Sequence, residues 1–311
     1  MIAAIDCGTN TIKLFVGTPP RAVVRTSRMV RLGQGVDRTG RLDDAAIERA
    51  FAALDEYAAI LAAHPVERIR FCATSATRDA SNADVFRAGV LARLGVEPEV
   101  LSGAEEAALS FGGAVAHLRH EPRLPVLVVD IGGGSTELVR GDRDAAGVLA
   151  PTGAHSMDVG SVRLHERHLA GDPPTAAEVE RLLADVDAAL DASPVDVAGV
   201  AQVVCVAGTA LTVGAGALGL PTFDPVLLDQ AVVPRPAVRA EVERLLAMTV
   251  EDRRALGYVH PGRADVIGAG ALILDRVLER AGVAELTLSV ADILDGIAAS
   301  LVPGTAGPTT H

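Results

Sequence analysis

The sequence predicts an α/β protein of two domains, and three observations carry that expectation. Apolar runs of strand length alternate with amphipathic runs of helix length. One motif occurs twice, 124 positions apart. The chain has 311 residues, 49% of them hydrophobic, which is enough for two separate cores.

The repeated motif comes first. Residues 5–17, IDCGTNTIKLFVG, lie on residues 129–141, VDIGGGSTELVRG, without a gap. Asp6 falls on Asp130, Gly8 on Gly132, Leu14 on Leu138 and Gly17 on Gly141, with Thr11 opposite Ser135 and Lys13 opposite Glu137. Each copy reads as an apolar strand, an acidic residue, a small-residue turn with hydroxyls and a second, alternating strand. That is a β-hairpin bent around something small.

Strands are expected near 2–6, 12–17, 22–31, 68–73 and 97–101, with helices near 43–63 and 82–94. A third helix starts after Ser102-Gly103 and runs to about 119, with Glu105 and Glu106 in its first turn, where the helix dipole favours negative charge. His120 to Pro125, with two prolines and mixed charge, reads as a linker, which gives domains of 1–120 and 121–311. The second hairpin copy follows directly. Then come a strand near 148–158, a helix from about Ser161 and another opening at the capping box Thr175-Ala-Ala-Glu178. An apolar strand near 202–207 runs into Gly208-Thr209 and a small-residue helix, a third strand-to-glycine turn. Helices near 236–247, 251–257, 264–280 and 292–301 and a strand near 285–290 complete the pattern. The final PGTAGPTTH has the composition of a frayed end.

A net charge of −12 argues against a nucleic-acid binder, so a polyanionic substrate would need a local basic patch. Lys13 is the only lysine. The densest arginine cluster is Arg21, Arg25, Arg28 and Arg31, followed by Arg38 and Arg41, and a solvated strand face explains it about as well. Cys7, Cys72 and Cys205 lack metal or redox spacing and read as reduced core residues. No leader and no long apolar run is evident, so no membrane contact and a cytoplasmic location are expected.

Successive amides in a glycine turn suit phosphate oxygens, and rim hydroxyls add donors. Either turn alone is equally an ordinary tight hairpin; the matched pair with Gly208-Thr209 favours phosphate. Asp130 and Glu137 flank their turn where two carboxylates can hold a divalent ion, magnesium being the natural candidate, although turn formation or solvation also accounts for them. Asp6 is the first copy's carboxylate, and Lys13 supplies positive charge there. Glu105 and Glu106 are candidate bases expected to border an interdomain cleft, or else dipole-favoured surface glutamates. Arg78, in ATSATR, can stabilise charge on a transferred phosphoryl group or be a surface arginine.

Together the segments IDCGTNTIKLFVG, RLGQGVD, ATSATR, LSGAEEAALSFGG, VDIGGGSTELV, GSVRLHERHL, VAGTALT and GRADVIGAGALIL resemble, in order, the Ppx/GppA family of exopolyphosphatases and guanosine pentaphosphate phosphatases. The resemblance implies two ribonuclease H-like domains of the actin, Hsp70 and sugar kinase superfamily flanking a cleft, with a C-terminal helix at about 292–303 packing back on the first. It implies that Glu106 is the catalytic base, assisted by Arg78, and that Asp130 and Glu137 serve phosphate or Mg2+. Phosphate contacts are implied for Thr9, Asn10 and Thr11, for Gly132, Gly133, Gly134 and Ser135, and for Gly208 and Thr209, with Asp6, Gly8 and Lys13 completing the first turn. Lys13 departs from the histidine or arginine of many members. A homodimer is implied. The expected activity is release of terminal phosphate from inorganic polyphosphate. Hydrolysis of the 5′ phosphate of pppGpp is the alternative on the same machinery. An ATP-binding regulatory or assembly protein of the actin/Hsp70 fold, or a sugar or acetate kinase, is a reading from another class.

Overall fold

A computed structural model of the chain describes residues 1–302, so the segment PGTAGPTTH lies outside the described residues. The chain forms two compact units. Among the described residues, one comprises Met1–Gly113 and 293–302, and the other Ala114–Asp292.

The first unit opens with β1 (Ile2–Cys7), β2 (Thr11–Thr18) and β3 (Arg21–Met29), an antiparallel meander. Next come α1 (Val36–Thr39), α2 (Asp44–Ala62), β4 (Arg68–Ala73), α3 (Ser75–Arg78), α4 (Ala83–Leu94), β5 (Glu99–Val100) and α5 (Gly103–Ala116). The sheet order is β3-β2-β1-β4-β5, with β4 parallel to β1 and β5 parallel to β4. All six residues of β1 are buried. This is the pattern of a strand covered on both faces, which reads as a continuous apolar run. Ala3, Ile5 and Cys7 join one core with Leu54 and Tyr57 of α2, whose phenol donates to the Ile12 carbonyl at 2.9 Å.

The second unit contains β6 (Val126–Ile131), β7 (Thr136–Arg143), β8 (Leu149–Met157), α6 (Ser161–His168), α7 (Ala176–Ala192), β9 (Gln202–Val206) and α8 (Ala207–Ala217). It continues with α9 (Pro225–Leu228), β10 (Val232–Pro234), α10 (Arg235–Ala247), α11 (Val250–Arg254), α12 (Ile267–Ala281) and β11 (Glu285–Leu288). The order is β10-β11-β9-β6-β7-β8. The segment around His120–Pro125 is tied into this unit, with Arg123 bonded to Gln202 and Glu285. The chain then returns to the first unit as α13 (Ile293–Ser300). Ile293, Leu294, Ile297 and Ala298 pack on Ile2, Ala4 and Phe15, the opposite face of β1 and β2. Arg25 grips Asp295 with two bonds of 2.7 and 2.8 Å.

The duplication survives in the register. Asp6 pairs across from Lys13, and Asp130 from Glu137. The outer pairing slips between Val16 and Gly17 in one copy and between Arg140 and Gly141 in the other, the same place in the repeat. Both units therefore have the ribonuclease H-like topology, a three-stranded meander extended by parallel strands through helical crossovers. The second adds β10, antiparallel to β11 at the far edge. The short elements α1, α3, α9 and β10 have no counterpart in the sequence reading, because three or four residues are too few to establish a period. Among the described residues no helix is long and apolar enough to cross a membrane.

Candidate active site

In the first unit the parallel pairing decides what meets. Cys7 lies opposite Ala73, and Ala73 opposite Val100, so the chain leaves β1, β4 and β5 at one sheet edge. Ligands of open α/β sheets bind at that edge. The turn after β1, the ATSATR segment and the start of α5 all begin there. Gly8 donates its amide to the Thr11 carbonyl at 3.0 Å, closing the turn. The amides of Thr9 and Asn10 donate to nothing among the described residues. Lys13 sits 3.0 Å from Asp6, whose carboxylate is buried.

The glutamate pair separates into two jobs. Glu105 takes the amide and hydroxyl of Ser102 at 2.9 and 2.7 Å, capping α5, and these bonds hold its carboxyl below the usual range. Glu106 is buried and receives Nη1 of Arg78 at 3.1 Å. The same Nη1 donates to the Leu101 carbonyl at 2.8 Å, so Arg78 bridges the strand end and the glutamate. Two further oxygens here are buried without partners among the described residues: Asn10 Oδ1 and Thr77 Oγ1. Buried orphans are rare, and a water or ligand is their usual complement. Thr77 was not singled out in the sequence; its only signal there is its place in ATSATR. Cys7 is a buried free thiol, pushed well up by burial and by Asp6.

The second unit repeats the turn with stronger support. Gly132 donates to Ser135 at 3.0 Å. The carbonyls of Gly132 and Gly133 accept from the amides of Ser161, Val162 and Arg163 at the start of α6, and Arg163 Nε donates to Gly134 at 2.7 Å. Gly160 permits this docking, since a Cβ there would lie 2.5 Å from the Gly133 carbonyl oxygen. With the carbonyls so engaged, the amides of Gly133, Gly134 and Ser135 donate to nothing among the described residues. Asp130 and Glu137 are both buried and stand opposite one another on β6 and β7, hence on one face. Ser156 holds Glu137 Oε1 at 2.7 Å. Among the described residues no group of three or more His, Cys, Asp and Glu could hold a metal. Two facing carboxylates suit Mg2+, which keeps waters and binds with substrate phosphates rather than in an all-protein cage.

Gly208 and Thr209 lie in the first turn of α8, at the same edge, because β9 runs parallel to β6. Ala207, at the helix start, has φ 62°, a strained value for a residue with a Cβ. Against Gly208 lies the guanidinium of Arg263; a Cβ on that glycine would come 2.1 Å from Nη1. The Arg263 side chain has no hydrogen bond or ion pair among the described residues, and burial pushes its pKa down to about 10. A cation beside a helix N-terminus is unfavourable by itself, since both are positive, and an anion would relieve the repulsion. In the sequence Arg263 is marked only by its place in GRADVIGAGALIL; its approach to the glycine helix start is visible only in three dimensions.

These features define a phosphate-handling protein of the ribonuclease H-like class. The chain matches the Ppx/GppA phosphatase family over residues 12–303 and belongs to it. It is 44% identical to Exopolyphosphatase 2 of Mycobacterium tuberculosis, over 96% of this chain and 98% of that one. It is 29% identical to the guanosine-5′-triphosphate,3′-diphosphate pyrophosphatase of Aeromonas salmonicida, spanning 96% of this chain and 58% of that protein. Among solved structures, an exopolyphosphatase-like protein superposes with TM-score 0.91 at 42% identity, covering 95% and 97% of the two chains. The Aquifex aeolicus Ppx/GppA member superposes with TM-score 0.78 at 29% identity, covering 95% of each.

Proposed function

We propose that this protein is an exopolyphosphatase, releasing terminal orthophosphate from inorganic polyphosphate by attack of water. The observation that carries the reading is the set of amides in the two matched turns that donate to no group among the described residues, a complement to phosphate oxygens. In the proposed reaction the turns Thr9–Thr11 and Gly132–Ser135, with Gly208, Thr209 and Arg263, bind phosphate oxygens of the polyphosphate chain. Arg78 orients Glu106 through its Nη1 bond; Glu106 takes a proton from the attacking water, and the shortened chain leaves from the opposite side of phosphorus. Asp130 and Glu137 would hold magnesium, which supplies charge neutralisation on the phosphate oxygens. The same two carboxylates face each other where the first unit has a Lys13–Asp6 pair, so a cation is the natural counterpart.

A cytoplasmic setting fits the free thiols of all three cysteines, and a homodimer is proposed from the family resemblance, to be read by light scattering. Hydrolysis of pppGpp is the second reading, supported by the similarity to the Aeromonas enzyme. Steady-state phosphate release from long-chain polyphosphate, tripolyphosphate, pppGpp and ATP, with no phosphate acceptor present, tests the assignment. Turnover of polyphosphate above the others is expected. Preference for pppGpp would move the assignment to the nucleotide, and binding of ATP without turnover of any polyphosphate would replace the enzyme with a nucleotide-binding role.

A further inference from the structure

The arginine cluster of the sequence divides in the structure. Arg25 is committed to Asp295, and Arg28 to Glu56 at 2.8 Å. Arg38 and Arg41 are exposed and make no side-chain hydrogen bond or ion pair among the described residues. Both line a cavity of about 570 Å³ in the first unit, with Gln34, Gly35 and Arg49 on its wall. Arg49 is held in place by bonds from Nε to the Val30 carbonyl at 2.9 Å and from Nη2 to Gln34 at 3.3 Å. The cavity also includes Asp43 and Asp44. Asp43 caps α2 through the Ala46 amide, and Asp44 lies in the first turn, so the helix N-terminus offsets part of their charge. Three arginines against two carboxylates at the start of α2 make a basic hollow on a protein of net charge −12.

The segment that leads into the hollow is tied to the first phosphate turn. Gly33 donates its amide to the Thr9 carbonyl at 2.8 Å, and Val30 and Arg31 donate to the Asn10 carbonyl at 3.0 Å, so residues 30–33 lie directly on that turn. Gly35, on the cavity wall, is two residues further on, at most about 7 Å of chain. We infer that this hollow is a subsite for internal phosphate units of long polyphosphate, gripped by Arg38 and Arg41 while the chain end occupies the turns. The inference rests on the exopolyphosphatase reading. Arginine suits the role because its planar fork bonds two phosphate oxygens at once. Chains too short to reach the hollow gain nothing from it.

The test is the double variant Arg38→Ala/Arg41→Ala, compared with wild type on long-chain polyphosphate and on tripolyphosphate, with thermal denaturation to show that the fold is retained. The ratio of kcat/KM on long chains to that on tripolyphosphate is expected to fall about tenfold or more, through KM, and its steep salt dependence to flatten. An unchanged ratio in a folded variant, with wild type turning over both substrates, overturns the subsite alone. Equal losses on both substrates overturn it too. No wild-type release from either substrate would instead sink the exopolyphosphatase reading. Competition by RNA as effective per phosphate as by long polyphosphate would overturn the assignment of the ligand.

Discussion

At the residue scale, the chemistry depends on side chains whose charge the fold leaves for a ligand. Arg263 is the plainest case, an arginine without a carboxylate, set against a helix start. Arg263→Ala is expected to lower kcat/KM on polyphosphate about tenfold to a hundredfold, the worth of a charge-assisted phosphate contact, without loss of thermal stability; full activity would remove it from the site. Arg263→Lys should recover only part, since an ammonium cannot reproduce the fork. Glu137 stands opposite Asp130 with one oxygen held by Ser156. Glu137→Gln is expected to raise the magnesium concentration for half-maximal rate about tenfold or more; an unshifted magnesium curve would move the metal elsewhere. Cys7 lies beside Asp6 yet is buried and held as a neutral thiol, so its neighbourhood to the turn carries no thiol chemistry.

At the element scale, two attachments have measurable consequences. The capping box of α7 is denser than its sequence suggests: Glu178 accepts from the amides of Thr175, Ala170 and Gly171 and from the Thr175 hydroxyl. Those donors lower its pKa to about 2. A carboxyl depressed on folding contributes stability that is present above its unfolded pKa and is lost as pH falls through the folded value. Wild type should therefore be more heat-stable than Glu178→Gln at pH 7, with the gap closing as pH falls from the ordinary glutamate range toward about 2. A gap independent of pH would assign the effect to the hydrogen bonds of a neutral side chain. The helix α13 is clasped to β3 by Arg25 and the buried Asp295. Arg25→Ala should cost about 1–2 kcal/mol in denaturant unfolding, discounted because the arginine is partly exposed.

At the scale of the whole molecule, the internal repeat was legible because it has two physical requirements that leave marks in sequence. A fully buried β1 or β6 must be a continuous apolar run, and a turn with unbonded amides must be made of small residues. The capping box at Thr175 and the burial of the cysteines were legible for similar local reasons. The parts that were not legible are non-local. The meeting of Glu106 with Arg78, 28 positions earlier, closes only in the folded chain. Likewise the split of one arginine cluster into structural pairs and free side chains depends on Asp295 and Glu56, distant in sequence. The short helices α1, α3 and α9 and the edge strand β10 were missed because three or four residues are too few to establish a repeating pattern. The central claim is the division of labour between the two adjacent glutamates, and phosphate release from long-chain polyphosphate by Glu106→Gln and Glu105→Gln, side by side, tests it most directly. Folded Glu106→Gln is expected to lose about 10²–10⁴-fold in kcat while Glu105→Gln stays within a few-fold of wild type. Near wild-type turnover by Glu106→Gln, or the larger loss falling on Glu105→Gln, would contradict the account.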